Sequence, residues 1–306
     1  MKLARARGRR SGRAIVFCTA VVAVSVAARH PERPVHPAST THAVIDSLRG
    51  RSKKLRARLM ARSSERATLF ARLFGDTLLR TPGVHDIADS ASQTPFSLIT
   101  TLDFTDKTDG RIGAYRIGYW PGERGAPLTG AYANPTGFVE VTRENANTAL
   151  SEHFALRDFL THDQQNVWPK YLVLREELVD KLELVIAELQ REGHPVKHMS
   201  VMSGFRTPQY NATGGETSGR AQVSRHMYGD AADVFVDDDG DGRMDDLNGD
   251  GRVDYRDAQV ILDAAERVEL THPDLQGGVG VYRATASHGP FAHVDVRGQR
   301  ARWGLS

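Results

Sequence analysis

The chain has 306 residues, 40 Lys and Arg against 38 Asp and Glu, a formal net charge of +2, 40% hydrophobic residues and one cysteine. That length permits a core that is stable without covalent staples, and a lone thiol excludes an intramolecular disulfide framework. Residues 1–80 carry 18 Lys/Arg against 4 Asp/Glu, leaving 22 against 34 for the rest, so the main body is acidic and lacks the basic footprint of a nucleic-acid binder.

Taken in chain order, Lys2, Arg5, Arg7, Arg9, Arg10 and Arg13 precede an uncharged run from Ala14 to Ala28. The run has the length of a signal-peptide core and is short for a membrane span, with Val26-x-Ala28 as a cleavage site. Residues 1–28 therefore read as a signal, or as an uncleaved anchor, and the protein is expected to be extracytoplasmic. A basic region with linkers follows over 29–95. Pro31, Pro34 and Pro37 mark the first linker, and Leu48, Leu55, Leu59, Leu69 and Leu73 recur at helical spacing among arginines and lysines. Such a helix can rest on anionic lipid or acidic wall polymer, or pack one side against the protein. A polar break is expected around Thr81–Thr94, then a small β-rich region over 96–145, where Ile112, Tyr115, Ile117, Phe138 and Val141 alternate between Gly and Pro turns. From Asn145 the pattern turns helical, first at Phe154, Leu156 and Phe159. Leu178, Leu182, Val185 and Leu189 then line one face of a helix closed by Gly193 and Pro195.

The chemistry concentrates in SRHMYGDAAD (Ser224–Asp233) and in His293-Val294-Asp295. His226 and Asp233 suit two extended segments joined at Gly229, while His293 and Asp295, two apart on a strand, point to one face. Two imidazoles and a carboxylate as ligands leave a fourth tetrahedral position for water, the arrangement of catalytic rather than structural zinc. Arg206, in a Gly-Phe-Arg-Thr-Pro turn, is the candidate for stabilising an oxyanion or clamping a carboxylate.

Four stretches in order, SGFRTPQYN (Ser203–Asn211), SRHMYGDAAD, GGVGVY (Gly277–Tyr282) and FAHVDVRGQRARW (Phe291–Trp303), resemble the successive signatures of the zinc D-Ala-D-Ala carboxypeptidase family, which includes VanX-type dipeptidases and relatives of the hedgehog signalling domain. The resemblance spans roughly residues 150–306. It implies an α+β domain at 146–306, in which a small antiparallel sheet with flanking helices carries zinc on His226, Asp233 and His293, behind an N-terminal helical and β extension. It also implies cleavage of peptidoglycan stem peptides containing D-alanine. Several branches of the family end in His-x-His where this chain has His293-Val294-Asp295, which leaves open which of the two binds metal and which transfers the proton. Asp295 is the candidate base, or else an acceptor that orients His293.

Between the two halves of the zinc site, residues 237–257 read DDDGDGRMDDLNGDGRVDYRD. The second part fits an EF-hand or dockerin calcium loop, with Asp246, Asn248 and Asp250 at positions one, three and five, the Arg252 carbonyl at seven, Asp254 at nine and Asp257 at twelve. Asp237, Asp239 and Asp241 begin an overlapping loop whose twelfth residue is Asn248, where a bidentate acid belongs. The expected function is thus a secreted, zinc-dependent D,D-peptidase with a structural calcium. The competing expectation is a non-catalytic wall- or partner-binding module that keeps both metals for stability.

Overall fold

The computed structural model describes residues 75–87, 96–214 and 220–304. The expected signal at 1–28 and the basic helix between Leu48 and Leu73 lie outside the described residues. No described helix is long and apolar enough to cross a membrane.

Helix α1 (Asp76–Arg80) leads into β1 (Gly83–Ile87), which pairs antiparallel with β2 (Phe96–Asp103). A strand thus occupies part of the Thr81–Thr94 stretch expected to be a polar break. Among the described strands it lies at the sheet edge, where its Gly83 and polar His85 weaken the sheet least. A small hairpin of β3 (Arg111–Ile112) and β4 (Tyr115–Arg116) follows, then β5 (Gly137–Val141) and β6 (Lys170–Leu172). Strands β1, β2, β5 and β6 form one antiparallel sheet in that order. The boundary expected at 145/146 therefore cuts across this sheet, because β6 comes from beyond it and one continuous core joins Ile99 and Phe138 to Val234 and Val294. The helix expected at Phe154–Phe159 is only a 3-10 turn, Leu156–Phe159: the Asp158 carboxylate accepts the Ala155 amide at 2.7 Å, and the chain is extended again by Leu160. One short turn suffices to bury Leu156 and Phe159.

The second half opens with α2 (Glu176–Arg191), its first turn acidic and its last basic, as the helix dipole favours. Leu178, Leu182, Val185 and Leu189 are buried as their spacing predicts, and Gly193 turns the chain away at φ 95°. Then come β7 (Met199–Ser203), α3 (Pro208–Thr213), β8 (Ala231–Val236), α4 (Tyr255–Thr271), β9 (Gly278–Tyr282), β10 (Phe291–Asp295) and β11 (Ala301–Trp303). The sheet order is β11-β9-β10-β8-β7, antiparallel except for the parallel β11–β9 pair. The molecule is accordingly α+β, with small antiparallel sheets and helices beside them.

Alternation along the two central strands decides where the site can be. Ala232, Val234, Ala292 and Val294 join one core with Leu182, Val185 and Ile261 of α2 and α4, so Asp233, His293 and Asp295 project from the opposite face. A buried ion pair braces this layer. Lys181 Nζ of α2 donates to Glu269 of α4 at 2.5 Å and to the Asp295 carbonyl at 2.9 Å, and Glu269 also accepts the Gly277 amide at 3.0 Å.

Candidate metal centre

His293 on β10 stands directly opposite Asp233 on β8 in the strand register, so their side chains meet on one face. His226 arrives differently. Its spacing from Asp233 predicts an extended segment, but it lies in a 3-10 turn, Arg225–Tyr228, closed by Gly229 in the left-handed region at φ 66°. The Gly229 carbonyl accepts the Arg175 amide at 2.8 Å, and a Cβ at Gly229 would run into the Val173 carbonyl. The turn is therefore pressed against the chain between β6 and α2 with no room for another residue type. Trp120 of the N-terminal half clamps it from the side, donating through Nε1 to the Met227 carbonyl at 2.9 Å.

Three atoms converge from these elements. His226 Nε2 lies 3.2 Å from His293 Nδ1 and 3.3 Å from Asp233 Oδ1, and His293 Nδ1 lies 2.9 Å from the same oxygen. Zinc bonds of about 2.0–2.1 Å in a tetrahedron require ligand atoms about 3.3 Å apart, close to this triangle. All three residues are buried. The outward-facing atoms are occupied: His226 Nδ1 faces the Gly204 carbonyl at 2.7 Å, His293 Nε2 faces Asp295 Oδ2 at 3.1 Å, and Asp233 Oδ2 accepts from the Arg206 guanidinium. When each imidazole gives its outer N–H to an oxygen, its inner nitrogen presents a lone pair, and two lone pairs and a carboxylate oxygen facing one point are satisfied by a cation. The donor set fits a metal ion, and His226, Asp233 and His293 would hold it. Burial opposes the Asp233 charge, but the two imidazoles outweigh it and keep its carboxyl well below the usual range. Burial likewise opposes charge on His293, but the hydrogen bonds its ring gives to the Asp233 and Asp295 carboxylates raise its pKa instead, while burial lowers that of His226.

Asp295 does not suit the role of base. Its carboxylate is fully buried and accepts the Gly278 amide at 2.7 Å, the Arg297 amide at 3.0 Å, Arg297 Nε at 2.9 Å and His293. Burial would raise its pKa, but the His293 and Arg297 bonds win and hold it far below the ordinary carboxylate value. A carboxylate so committed neither reaches water nor takes a proton near neutrality. It orients His293, whose inner nitrogen answers which member of the His-x-Asp pair faces the metal position. Gly278 is part of the same arrangement, since a Cβ there would collide with the Asp295 carboxylate.

Arg206 borders the centre as expected. Its Nε donates to Ser203 at 2.8 Å, and its guanidinium pairs with Asp233. Arg225, the other cation close in sequence, is not at the cleft: it is buried in a pair with Asp230, Nε to Oδ1 at 3.0 Å, and donates to the Ala131 carbonyl at 2.7 Å. His288 is half-buried against Phe291 and turns its Nδ1 to the Gly289 carbonyl at 2.8 Å. Two residues near the centre carried no signal of their own. Tyr282 ends the GGVGVY stretch, and its hydroxyl accepts from Trp303 Nε1 at 2.9 Å. Burial raises its pKa, and it senses the charges of Asp233 and Arg206, so it stays a neutral donor. His162, exposed at the surface, also feels the Arg206 charge; desolvation and then that charge lower its pKa.

The loop expected to bind calcium at 246–257 is formed, but no three of its carboxylates converge on one point. Asp246 accepts the Gly251 amide at 2.7 Å, and Asp257 spends its oxygens on the amides of Leu247, Asn248 and Asp254 at 2.8–3.2 Å. The Arg256 guanidinium sits 3.5 Å from Asp250 and 3.4 Å from Asp254, where a bound cation would be repelled. Asn248 is likewise engaged, its Oδ1 accepting the Asp250 amide at 2.8 Å, and Arg252 gives its amide to Asp250 at 3.0 Å. This loop works as the capped entrance to α4.

No protein-family model, curated protein or solved structure matches this chain.

Proposed function

We propose that the chain is a zinc-dependent peptidase of the cell envelope that hydrolyses an amide bond next to D-alanine in peptidoglycan stem peptides. The observation that carries the hydrolase reading is the buried triangle of His226 Nε2, His293 Nδ1 and Asp233 Oδ1, with every outer atom already satisfied by Gly204, Asp295 or Arg206. When bound, zinc polarises a carbonyl and lowers the pKa of water to about 7. The chain's own residues supply the rest. Arg206 offers a fixed cation for the oxygen of the attacked carbonyl or for a substrate carboxylate. The Tyr282 hydroxyl, held from behind by Trp303, offers a hydrogen bond to the bound peptide while staying protonated. The substrate class rests on the four ordered stretches that resemble the D-Ala-D-Ala carboxypeptidases, and the location rests on the signal-like composition of residues 1–28.

The test uses zinc-loaded protein on purified sacculi and on a synthetic peptide ending in D-Ala-D-Ala, with products identified by mass spectrometry. Release of D-Ala or of stem fragments, absent in His226→Ala, is the expected result. Stoichiometric zinc without hydrolysis of either substrate would turn the reading to a non-catalytic wall- or partner-binding module. Cleavage of all-L peptides alone would overturn the substrate class and leave the hydrolase.

A further inference from the structure

The acidic segment that interrupts the zinc-bearing strands holds a second converging group, in its first half rather than its second. Asp237, Asp239 and Asp245 place carboxylate oxygens within 4.8 Å of one another. A cluster of acids on a surface loop is common without a ligand, but Asp237 is not on the surface. It is 6% exposed, and its Oδ1 has no hydrogen-bond partner, while Oδ2 accepts the Gly242 amide at 3.1 Å. A buried carboxylate oxygen without a donor costs on the order of a lost charged hydrogen bond and calls for a counter-charge. No described Lys, Arg or His lies within ion-pair distance of these three residues, unlike the second loop, where Arg256 approaches Asp250 and Asp254. Burial first, and then the carboxylates of Asp239, Asp238 and Asp237, push the Asp245 pKa up. Asp238, the alternate residue, faces away and accepts the amides of Lys197 and His198, each at 2.7 Å.

We infer that Asp237, Asp239 and Asp245, with the Arg243 carbonyl between them, form a calcium site at the end of β8. All the donors are hard oxygens, which select calcium or magnesium over zinc. A loop able to combine three carboxylates with a carbonyl and waters meets calcium's need for six to eight ligands, whereas magnesium demands a rigid octahedron and keeps its water. Asn248 stands where the bidentate acid of a twelve-residue loop would be, so affinity falls in the weak class suited to an extracellular module, Kd about 0.1–1 mM. The site's work is mechanical. Asp237 directly follows β8, which carries Asp233, and its amide bonds the His198 carbonyl at 3.1 Å at the start of β7, so the cation pins the two strands together at the end away from the zinc centre. The inference does not depend on the peptidase reading.

The test measures calcium binding by calorimetry and thermal unfolding of the full chain dialysed free of calcium, with zinc content assayed in the same samples. Calcium at about 10 mM is expected to raise the Tm by about 3–10 °C. Asp239→Ala, at an exposed position, should remove that rise along with the binding heat, as should Asp237→Asn, whereas Asp246→Asn should keep both. Absence of heat and of a Tm shift in the parent protein would overturn the site. So would a shift that survives Asp239→Ala, a shift lost in Asp246→Asn, or an equal shift with magnesium at the same concentration.

Discussion

Replacing Asp295 by Asn separates an orienting carboxylate from a catalytic base. In the native protein one oxygen accepts Gly278 N and Arg297 N, the other accepts His293 Nε2, and Arg297 Nε reaches both. Asparagine offers one acceptor and one NH₂ group, so whichever way the amide turns, its N–H groups confront either two backbone donors or the His293 and Arg297 donors. Each buried donor left unpaired costs about 1–3 kcal/mol, and breaking a buried ion pair from one side costs about 3–5 kcal/mol. Because Arg297 keeps some access to water, a loss of about 3–4 kcal/mol is expected, which lowers the Tm by about 6–16 °C for a domain of this size. His293 loses its fixed tautomer, so zinc affinity should fall about 10–100-fold. The assays are thermal unfolding, zinc competition against a chromophoric chelator, and peptide hydrolysis with zinc raised until the site is full. At full occupancy kcat should fall less than about 10-fold, since Asp295 does not touch the reacting atoms. A fall of 10² or more under those conditions, with the Tm little changed, would refute this reasoning and return Asp295 to the role of proton-transfer group.

Arg206→Ala should retain zinc but lose about 10²–10³ in kcat, as for removal of one charge-stabilising donor, with partial recovery in Arg206→Lys; an unchanged kcat would remove Arg206 from the mechanism. Gly229→Ala should cost about 2–5 kcal/mol, combining the left-handed backbone with the blocked approach to Val173, and should also loosen zinc because the turn carries His226; an unaltered Tm would show that the turn has slack. His153 and Glu183 form a partly buried pair at 2.7 Å, in which the Glu183 hydrogen bond raises the histidine pKa and the glutamate pKa is lowered despite burial. The histidine's contribution is complete below its unfolded pKa of about 6.5 and is lost as pH rises through the raised folded value, while the glutamate's is complete above about 4.5 and is lost on acidification through its lowered value. The Tm difference between the parent and His153→Gln is therefore expected to be greatest near pH 5–6 and to shrink by pH 9; a pH-independent difference would mean the pair is held by packing alone.

Local information in the sequence was enough for whatever depends on period and spacing. The 3.6-residue recurrence of Leu178, Leu182, Val185 and Leu189 fixed α2, and the two-residue spacing of His293 and Asp295 put them on one face of a strand, because side-chain direction follows from backbone geometry alone. The metal-ligating types at Asp233 and His293 were legible for the same reason. Only the tertiary structure decided what each polar group has for company. Asp295 reads either as a base or as an acceptor orienting His293, and Asp257 as a calcium ligand; the structure engages the first with Arg297 and His293 and the second with backbone amides. Arg225, next to His226 in the chain, is turned away into a buried pair with Asp230, and the 3-10 turn of His226 depends on Gly229 meeting Val173, more than fifty residues away. A carboxylate's chemistry is set by its solvation and by the donors within about 3 Å, and those partners are brought together by strand order and helix packing rather than by neighbours in the chain.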